Sequence, residues 1–399
     1  MPPLAGRKIW FVGIGGAGLS GYAVVAKALG AEVGGWDKAE TPYFAYVRNA
    51  GIEADIRPDP FAPPGWEVVV STAFAPRVEG RSRAEFLAEL VSFHRSIVVA
   101  GAHGKTTTAA MIAFVLDRLG LDPGFLIGGE VPQLKGNARA GSGWLVVEGD
   151  ESDRTVFSLH AEIAVITNVD LDHHTTFASV AELADEFERW AETIPVVIRG
   201  DEVEAPPELE LAVPGEHNRV NAAFALAALE AAGVARADVL RELSDFRGVG
   251  RRLEARGEEG GVRVVDDYGH HPSEVAASIA AARSLLDESA RLLVLFQPHL
   301  YSRTTHLARE LAEALARADL VCVTEIYAAR EEPVAGVSGK LIVDELAAVR
   351  PGMPIGWGPA LADAAEIVSG RARPGDLVLT VGAGDVDATI PLLLERLAA

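Results

Sequence analysis

The chain has 399 residues, 49% of them hydrophobic, with a formal net charge of −21 and a single cysteine, Cys322. That length predicts two or three packed domains, and the negative charge excludes a general nucleic-acid binder, whose surface would carry the opposite sign. One cysteine excludes an intrachain disulfide and a cysteine-based metal site. No apolar run is long enough to span a bilayer and Met1–Phe11 has no leader pattern, so a cytoplasmic protein without membrane insertion is expected.

The first block, residues 1–95, opens with Lys8-Ile9-Trp10-Phe11-Val12, a short apolar run predicted as a strand. A glycine-rich turn, Gly13-Ile14-Gly15-Gly16-Ala17-Gly18, leads into a helical stretch from Leu19 to Leu29. Ala31-Glu32-Val33 and Val68-Val69-Val70 read as further strands. Alternating strand and helix signals predict a parallel α/β sheet. Gly13, Gly15 and Gly18 make an altered dinucleotide fingerprint, with Asp37 near the end of the second strand. Taken alone it suggests a dinucleotide dehydrogenase or, equally, an ordinary strand–helix turn.

Residues 96–245 restart the pattern. Ile97-Val98-Val99-Ala100 feeds Gly101-Ala102-His103-Gly104-Lys105-Thr106-Thr107-Thr108, and a helix is predicted from Ala109 to Leu119. Glycines let the backbone wrap a phosphate, the helix N-terminus adds partial positive charge, a lysine reaches the terminal phosphates and a threonine hydroxyl suits Mg²⁺. The usual pattern has its first glycine where this chain has Val99, but the strand–loop–helix context predicts nucleotide binding. Two acidic segments each follow a predicted strand: Glu148-Gly149-Asp150-Glu151-Ser152-Asp153 after Trp144–Val147, and Asn168-Val169-Asp170-Leu171-Asp172-His173-His174 after Ile163–Thr167. Strand ends of a parallel sheet carry function, and carboxylates there suit a hard cation. A helix over Ser179–Thr193 and a strand over Val196–Ile198 follow, then an acidic, proline-rich surface loop, Asp201–Leu211.

Residues 246–399 restart it a third time, with apolar runs at Arg263–Val265, Leu292–Phe296, Leu320–Thr324 and Leu377–Thr380 between alanine-rich helical stretches. Asp266-Asp267-Tyr268-Gly269-His270-His271-Pro272 follows the first run. A His/Asp cluster raises zinc as a first thought, but no other such group stands at ligand spacing.

Taken together the motifs resemble the Mur ligase family. The carriers are the 101–108 loop, the 148–153 segment, Asn168 with Asp172-His173, Pro214–Ala222, and Phe246–Glu254. Asp266–Glu274, Gln297–Thr304 and Gly375–Asp385 narrow the likeness to the branch that adds alanine. The resemblance implies an α/β fold of three domains: N-terminal Rossmann-like for the UDP-sugar (1–95), a central P-loop ATPase (96–245), and C-terminal Rossmann-like for the amino acid (246–399). It implies that ATP phosphorylates the lactyl carboxylate of UDP-N-acetylmuramate and that L-alanine attacks the acyl phosphate. Both reacting partners are anions, so Mg²⁺ and Lys105 must neutralise them. By the same resemblance Gly101, His103, Gly104, Lys105, Thr106 and Thr107 hold the ATP phosphates, with Thr106, Glu148 and His173 on metal. His217, Asn218, Asn221, Arg252 and Asp267 complete the nucleotide site. Gly13, Gly15, Gly16, Ala17, Gly18, Asp37, Ser71 and Thr72 bind the UDP-sugar. Tyr268, His270, His299 and Arg303 surround the amino acid, and Lys105, His173, His270 and Arg303 are the expected catalytic set.

Three departures from the family stand out. The stretch from His174 to Pro214 is short where the family has a long β-rich segment. Leu300 stands where many alanine-adding ligases have arginine, and Thr175 replaces an aspartate. No lysine occurs between Lys135 and Lys340, so the carbamylated central-domain lysine of sister ligases has no counterpart. Two alternatives remain: a recycling ligase that adds a whole peptide, disfavoured by Tyr268-Gly269 and the Gln297–Thr304 segment, and a non-catalytic UDP-sugar-binding paralogue.

Overall fold

A computed structural model describes residues 1–41, 43–170, 176–287, 289–329 and 331–398. The chain divides into two compact units, one of residues 1–212 with 218–249 and one of residues 213–217 with 250–399.

The first unit holds two sheets. Strands β1 (Lys8–Val12), β2 (Glu32–Asp37), β3 (Glu53–Ile56), β4 (Glu67–Val70) and β5 (Arg81–Ser82) pair in the order β3-β2-β1-β4-β5, all parallel. Helices α1 (Ala17–Ala28), α2 (Phe44–Asn49) and α3 (Arg83–Ser92) connect them. Ile9 through Val12 are all buried, which is why β1 reads as an unbroken apolar run. Helix α3 starts where Ser82 and Glu85 form a reciprocal capping box.

The second sheet contains β6 (Ser96–Ala100), β7 (Gly124–Val131), β8 (Gly136–Arg139), β9 (Leu145–Glu148), β10 (Ile163–Ile166) and β11 (Val196–Arg199), ordered β11-β10-β6-β9-β7-β8. Its pairs are parallel except the β7–β8 hairpin. Helix α4 (Lys105–Arg118) follows β6, and α5 (Val180–Ala191), α6 (Glu216–Ala231) and α7 (Arg236–Leu243) complete the layer. One apolar core runs through both sheets, from Phe11 and Leu19 to Leu126, Val147 and Phe187. Helix α1 lies on the β7–β8 hairpin so closely that a side chain at Gly21 would come within 2.9 Å of the Ala138 Cβ.

In the second unit β12 (Glu254–Glu259), β13 (Val262–Asp267), β14 (Leu292–Phe296), β15 (Leu320–Val323), β16 (Ile355–Trp357) and β17 (Leu377–Val381) pair in the order β12-β13-β17-β14-β15-β16. Only β12 runs antiparallel. Helices α8 (Pro272–Ser284), α9 (Tyr301–Leu315), α10 (Lys340–Val349), α11 (Leu361–Ser369) and α12 (Thr389–Leu397) pack on both faces, over two apolar clusters. Among the described residues no helix is long and apolar enough to cross a membrane.

Two differences from the sequence reading are instructive. Helix α4 begins at Lys105, not Ala109, so the threonine run forms its first turn. Strands β3 and β12 lacked an apolar run because both are sheet edges, rich in acidic residues and partly or wholly exposed.

Candidate functional site

Sheet order explains why the motifs converge. The loop after β6 is flanked by β9, which ends at Glu148, and by β10, which leads into Thr167 and Asn168. Three sequence-distant segments therefore meet at the carboxyl ends of adjacent parallel strands.

The 101–104 loop turns through two left-handed glycines, Gly101 at φ +115° and Gly104 at φ +82°. A side chain at Gly101 would come within 2.5 Å of the Thr167 hydroxyl, and one at Gly104 would collide with Asn221 Oδ1. Both positions thus require glycine for backbone conformation and for space. Asn168 clamps the loop from the side: its Oδ1 accepts from the His103 N–H at 3.0 Å and its Nδ2 donates to the His103 carbonyl at 3.0 Å. The Thr167 hydroxyl donates to the same carbonyl at 2.7 Å. The His103 ring faces Asp170, with Nε2 3.5 Å from Oδ2. Replacing Asn168 with alanine should remove both bonds to His103 and loosen the loop. Each such bond is worth about 1 kcal/mol, so the KM for ATP should rise roughly tenfold; an unchanged KM would show that the clamp is dispensable.

Lys105 opens α4. Its Nζ donates to the carbonyls of Gly101 at 2.5 Å and Ala102 at 3.2 Å, and to both Glu151 oxygens at 3.1 Å. Glu151 is only 2% exposed. Burial alone would lower the Lys105 ammonium, but Glu151, Glu148 and Asp150 together hold it above the ordinary lysine value. The next residue, Thr106, donates its hydroxyl to Glu148 Oε1 at 2.9 Å, while Glu148 Oε2 accepts from Gly128 N at 2.6 Å. A side chain at Gly128 would come within 2.7 Å of that carboxylate oxygen. Thr107 is buried in the same turn. Asn218 and Asn221 lie together on α6, with Asn221 Nδ2 3.4 Å from Asn218 Oδ1.

The glycine loop at the end of β1 is braced from beneath. Gly15 N donates to Asp37 Oδ2 at 2.8 Å and Lys38 N to Asp37 Oδ1 at 2.7 Å, so the Asp37 carboxylate is spent on backbone. Gly16 N closes a turn onto the Gly13 carbonyl, and Ala17 and Gly18 start α1. Ser71 packs on Gly13, where a side chain would come within 2.5 Å of its hydroxyl. Thr72 donates to Asp153 at 3.0 Å, and Arg83 pairs with both Asp150 at 3.0 Å and Asp153 at 3.1 Å. This loop and the acidic segment after β9 are thereby tied within one unit.

In the second unit the remaining residues gather at the carboxyl ends of β13 and β14. Asp267 accepts from Leu253 N, Gly269 N and the Ser278 hydroxyl at 2.6–2.9 Å. The Arg252 guanidinium lies over the Tyr268 ring, 5.4 Å from its centroid. The His217 imidazole is held below its ordinary value, chiefly by burial; Arg252 pushes the same way and Asp267 opposes, so the ring is neutral at pH 7. His270 Nδ1 sits 3.0 Å from the Tyr268 carbonyl and 3.4 Å from Glu274 Oε2. With two acceptors on that side Nδ1 is placed to donate. Arg303, 4% exposed, meets His299 Nδ1 through Nη1 at 3.0 Å. Leu300 precedes α9 at φ +72°, a left-handed conformation that is strained for leucine.

His173 and Thr175 lie outside the described residues. Asn168, Glu151, Arg83 and Arg251 were given no role from sequence. Asn168, Glu151 and Arg251 stood inside quoted motifs, but nothing local marks a residue as a clamp or counter-ion. Arg251 donates to Asp266 and to the carbonyls of Gly382 and Gly384, the latter two more than 100 residues away along the chain.

A phosphate-type loop flanked by acidic strand ends, in a chain that carries two further largely parallel sheets, fits a multidomain nucleotide-binding α/β enzyme. Comparison makes this specific. Residues 8–95 match the Mur ligase family catalytic domain, 99–203 the Mur ligase middle domain and 251–384 the Mur ligase glutamate ligase domain. A UDP-N-acetylmuramate–L-alanine ligase of Streptomyces avermitilis is 37% identical, over 99% of this chain and 98% of the relative. That of Rubrobacter xylanophilus is also 37% identical, over 98% and 100%. The crystal structure of a UDP-N-acetylmuramate–alanine ligase from Thermotoga maritima superposes with a TM-score of 0.80 at 27% identity, covering 98% of both chains. The chain belongs to the Mur ligase family. The Streptomyces alignment spans 460 positions, more than the 399 residues here.

Proposed function

We propose that this enzyme joins L-alanine to the lactyl carboxylate of UDP-N-acetylmuramate at the expense of ATP, a step of peptidoglycan precursor synthesis in the cytoplasm. The observation that carries the reading is full-length likeness to ligases of that name, combined with a P-loop whose Lys105, Thr106 and Glu148 stand together at one strand edge.

The substrate carboxylate attacks the γ-phosphorus of ATP, and ADP leaves. The amine of L-alanine then attacks the acyl-phosphate carbonyl. The tetrahedral intermediate expels phosphate, forms the amide and releases a proton. Lys105 suits the transferring phosphoryl group, because a lysine held charged offsets the negative charge of two anions brought together. Thr106 and Glu148 supply two hard oxygens 2.9 Å apart, a donor set that fits Mg²⁺, with Glu148 oriented by Gly128 N. Bound there, magnesium supplies charge neutralisation and alignment of the phosphates. The glycine loop at residues 13–18 leads into the α1 N-terminus at Ala17 and Gly18, whose partial positive charge suits the UDP diphosphate. Arg303 pairs with the amino-acid carboxylate, and His270 Nε2 takes the proton that the amine loses.

ADP release, followed with UDP-N-acetylmuramate in the presence and absence of L-alanine, tests the reading. Turnover requiring all three substrates is expected. Turnover only with a murein peptide as the amine donor would assign the recycling reaction, and no turnover with either amine would assign a binding role.

A further inference from the structure

Beyond the residues already placed around the amino acid, one aromatic side chain joins the same cluster from a strand whose sequence carries no motif. Tyr327 follows β15. Its ring stacks on His299 with centroids 5.8 Å apart and planes 13° from parallel. His299 in turn lies 5.6 Å from His270, and His270 5.7 Å from Tyr268. Four rings are thus linked by successive contacts, and Arg303 meets the second of them, His299, at Nδ1 at 3.0 Å.

The position of Tyr327 is over-determined. Its N–H donates to the Pro298 carbonyl at 2.8 Å and its carbonyl accepts from Leu300 N at 3.0 Å, so its backbone brackets His299 on both sides. Behind the ring lies Gly384, where a side chain would come within 2.5 Å of Tyr327 Cγ. The ring therefore rests directly on the 382–385 loop and has no space to retreat. It is nevertheless 37% exposed. A stiff, partly exposed aromatic side chain, backed by main chain and stacked on the partner of a buried arginine, makes a rigid wall.

Resting on the ligase reading above, we propose that Tyr327 is a specificity-determining residue of the amine substrate. It holds His299 against Arg303 and limits the size of side chain accepted beside the carboxylate. A pocket wall that cannot move discriminates by volume, and one methylene in such a pocket is worth roughly 10- to 200-fold.

The test compares wild type, Tyr327→Phe, Tyr327→Leu and Tyr327→Ala in ADP-release kinetics with L-alanine, L-serine and L-valine, with thermal unfolding as a check on folding. Tyr327→Phe keeps the stack and should stay within about threefold of wild type. The Leu and Ala variants should raise the KM for L-alanine roughly tenfold and leave the KM for ATP unchanged. They should also narrow the preference for L-alanine over L-valine by a similar factor. Equal rises in KM for all three substrates would mark a structural role and overturn the proposal, as would unaltered selectivity in folded Leu or Ala variants. No turnover of wild type with any of the three amino acids would remove the ligase reading on which this one rests; selectivity that is absent in wild type, or that survives Tyr327→Ala, removes this one alone.

Discussion

Lys105→Met should lower turnover by roughly a thousandfold, the effect expected on the proposed reading, in which its charge acts on the phosphoryl group in the transition state. The same substitution should also cost stability, a consequence that only the structure reveals. Lys105 is bonded to Glu151, whose side chain is 3% exposed, so the variant leaves a buried carboxylate without its counter-ion. Breaking a buried pair from one side typically costs about 3–5 kcal/mol, less whatever is recovered when the carboxylate takes up a proton. The double variant Lys105→Met/Glu151→Gln should regain most of the melting temperature and none of the activity. That split separates the two roles of one side chain, and it is read by thermal unfolding beside ADP release. Since Lys105 is held above the ordinary lysine value, the pair stands throughout the neutral range. Its contribution is fully present below the pKa of a free lysine and fades as pH rises through the higher folded value. Near-wild-type ligation by folded Lys105→Met would sink the assignment of this loop to ATP.

The second large effect is expected at Arg303. A guanidinium pairs with a carboxylate through two parallel bonds, and an ammonium cannot reproduce that geometry. Arg303→Lys should therefore raise the KM for L-alanine by one to two powers of ten, corresponding to the loss of a charge-assisted bond worth roughly 1.5–3 kcal/mol. The KM for ATP should change far less. Equal effects on every substrate would instead mean that Arg303 serves only to hold His299, which it meets at 3.0 Å. The companion variant is Leu300→Arg. Leu300 adopts φ +72° at the start of α9 and donates its N–H to the Tyr327 carbonyl. Arginine there bears the same backbone strain as leucine, so the exchange should be tolerated. If the side chain faces the amino acid, the added charge should lower the KM for L-alanine.

Much of this molecule was legible before any coordinates. Apolar runs such as Ile97–Ala100 and Leu292–Phe296 mark central parallel strands, because both faces of such strands are buried. Gly101 and Gly104 reveal a loop that needs left-handed backbone, and a lysine and threonine after them identify an anion site at a helix N-terminus. The ordered series of short motifs from Gly13 to Asp385 was enough to indicate the family. Edge strands were not legible: β3 and β12 bury too little to need apolar residues, so their composition resembles a loop.

What the sequence determined by itself is therefore the chemistry: which residue types stand at strand ends, and in which order. What only the tertiary structure decided is the pairing of groups that lie far apart along the chain. The Asp37 carboxylate accepts from the backbone of Gly15 and Lys38. Glu151 is the counter-ion of Lys105, Asn168 clamps His103, and Tyr327 stacks on His299. The reason is physical. Hydrophobic period and turn chemistry are local and leave a trace in neighbouring residues, whereas a buried polar group takes as its partner whatever donor or acceptor the sheet order brings within about 3 Å. That order, β10-β6-β9 in one unit and β13-β17-β14-β15 in the other, exists only once the chain has folded.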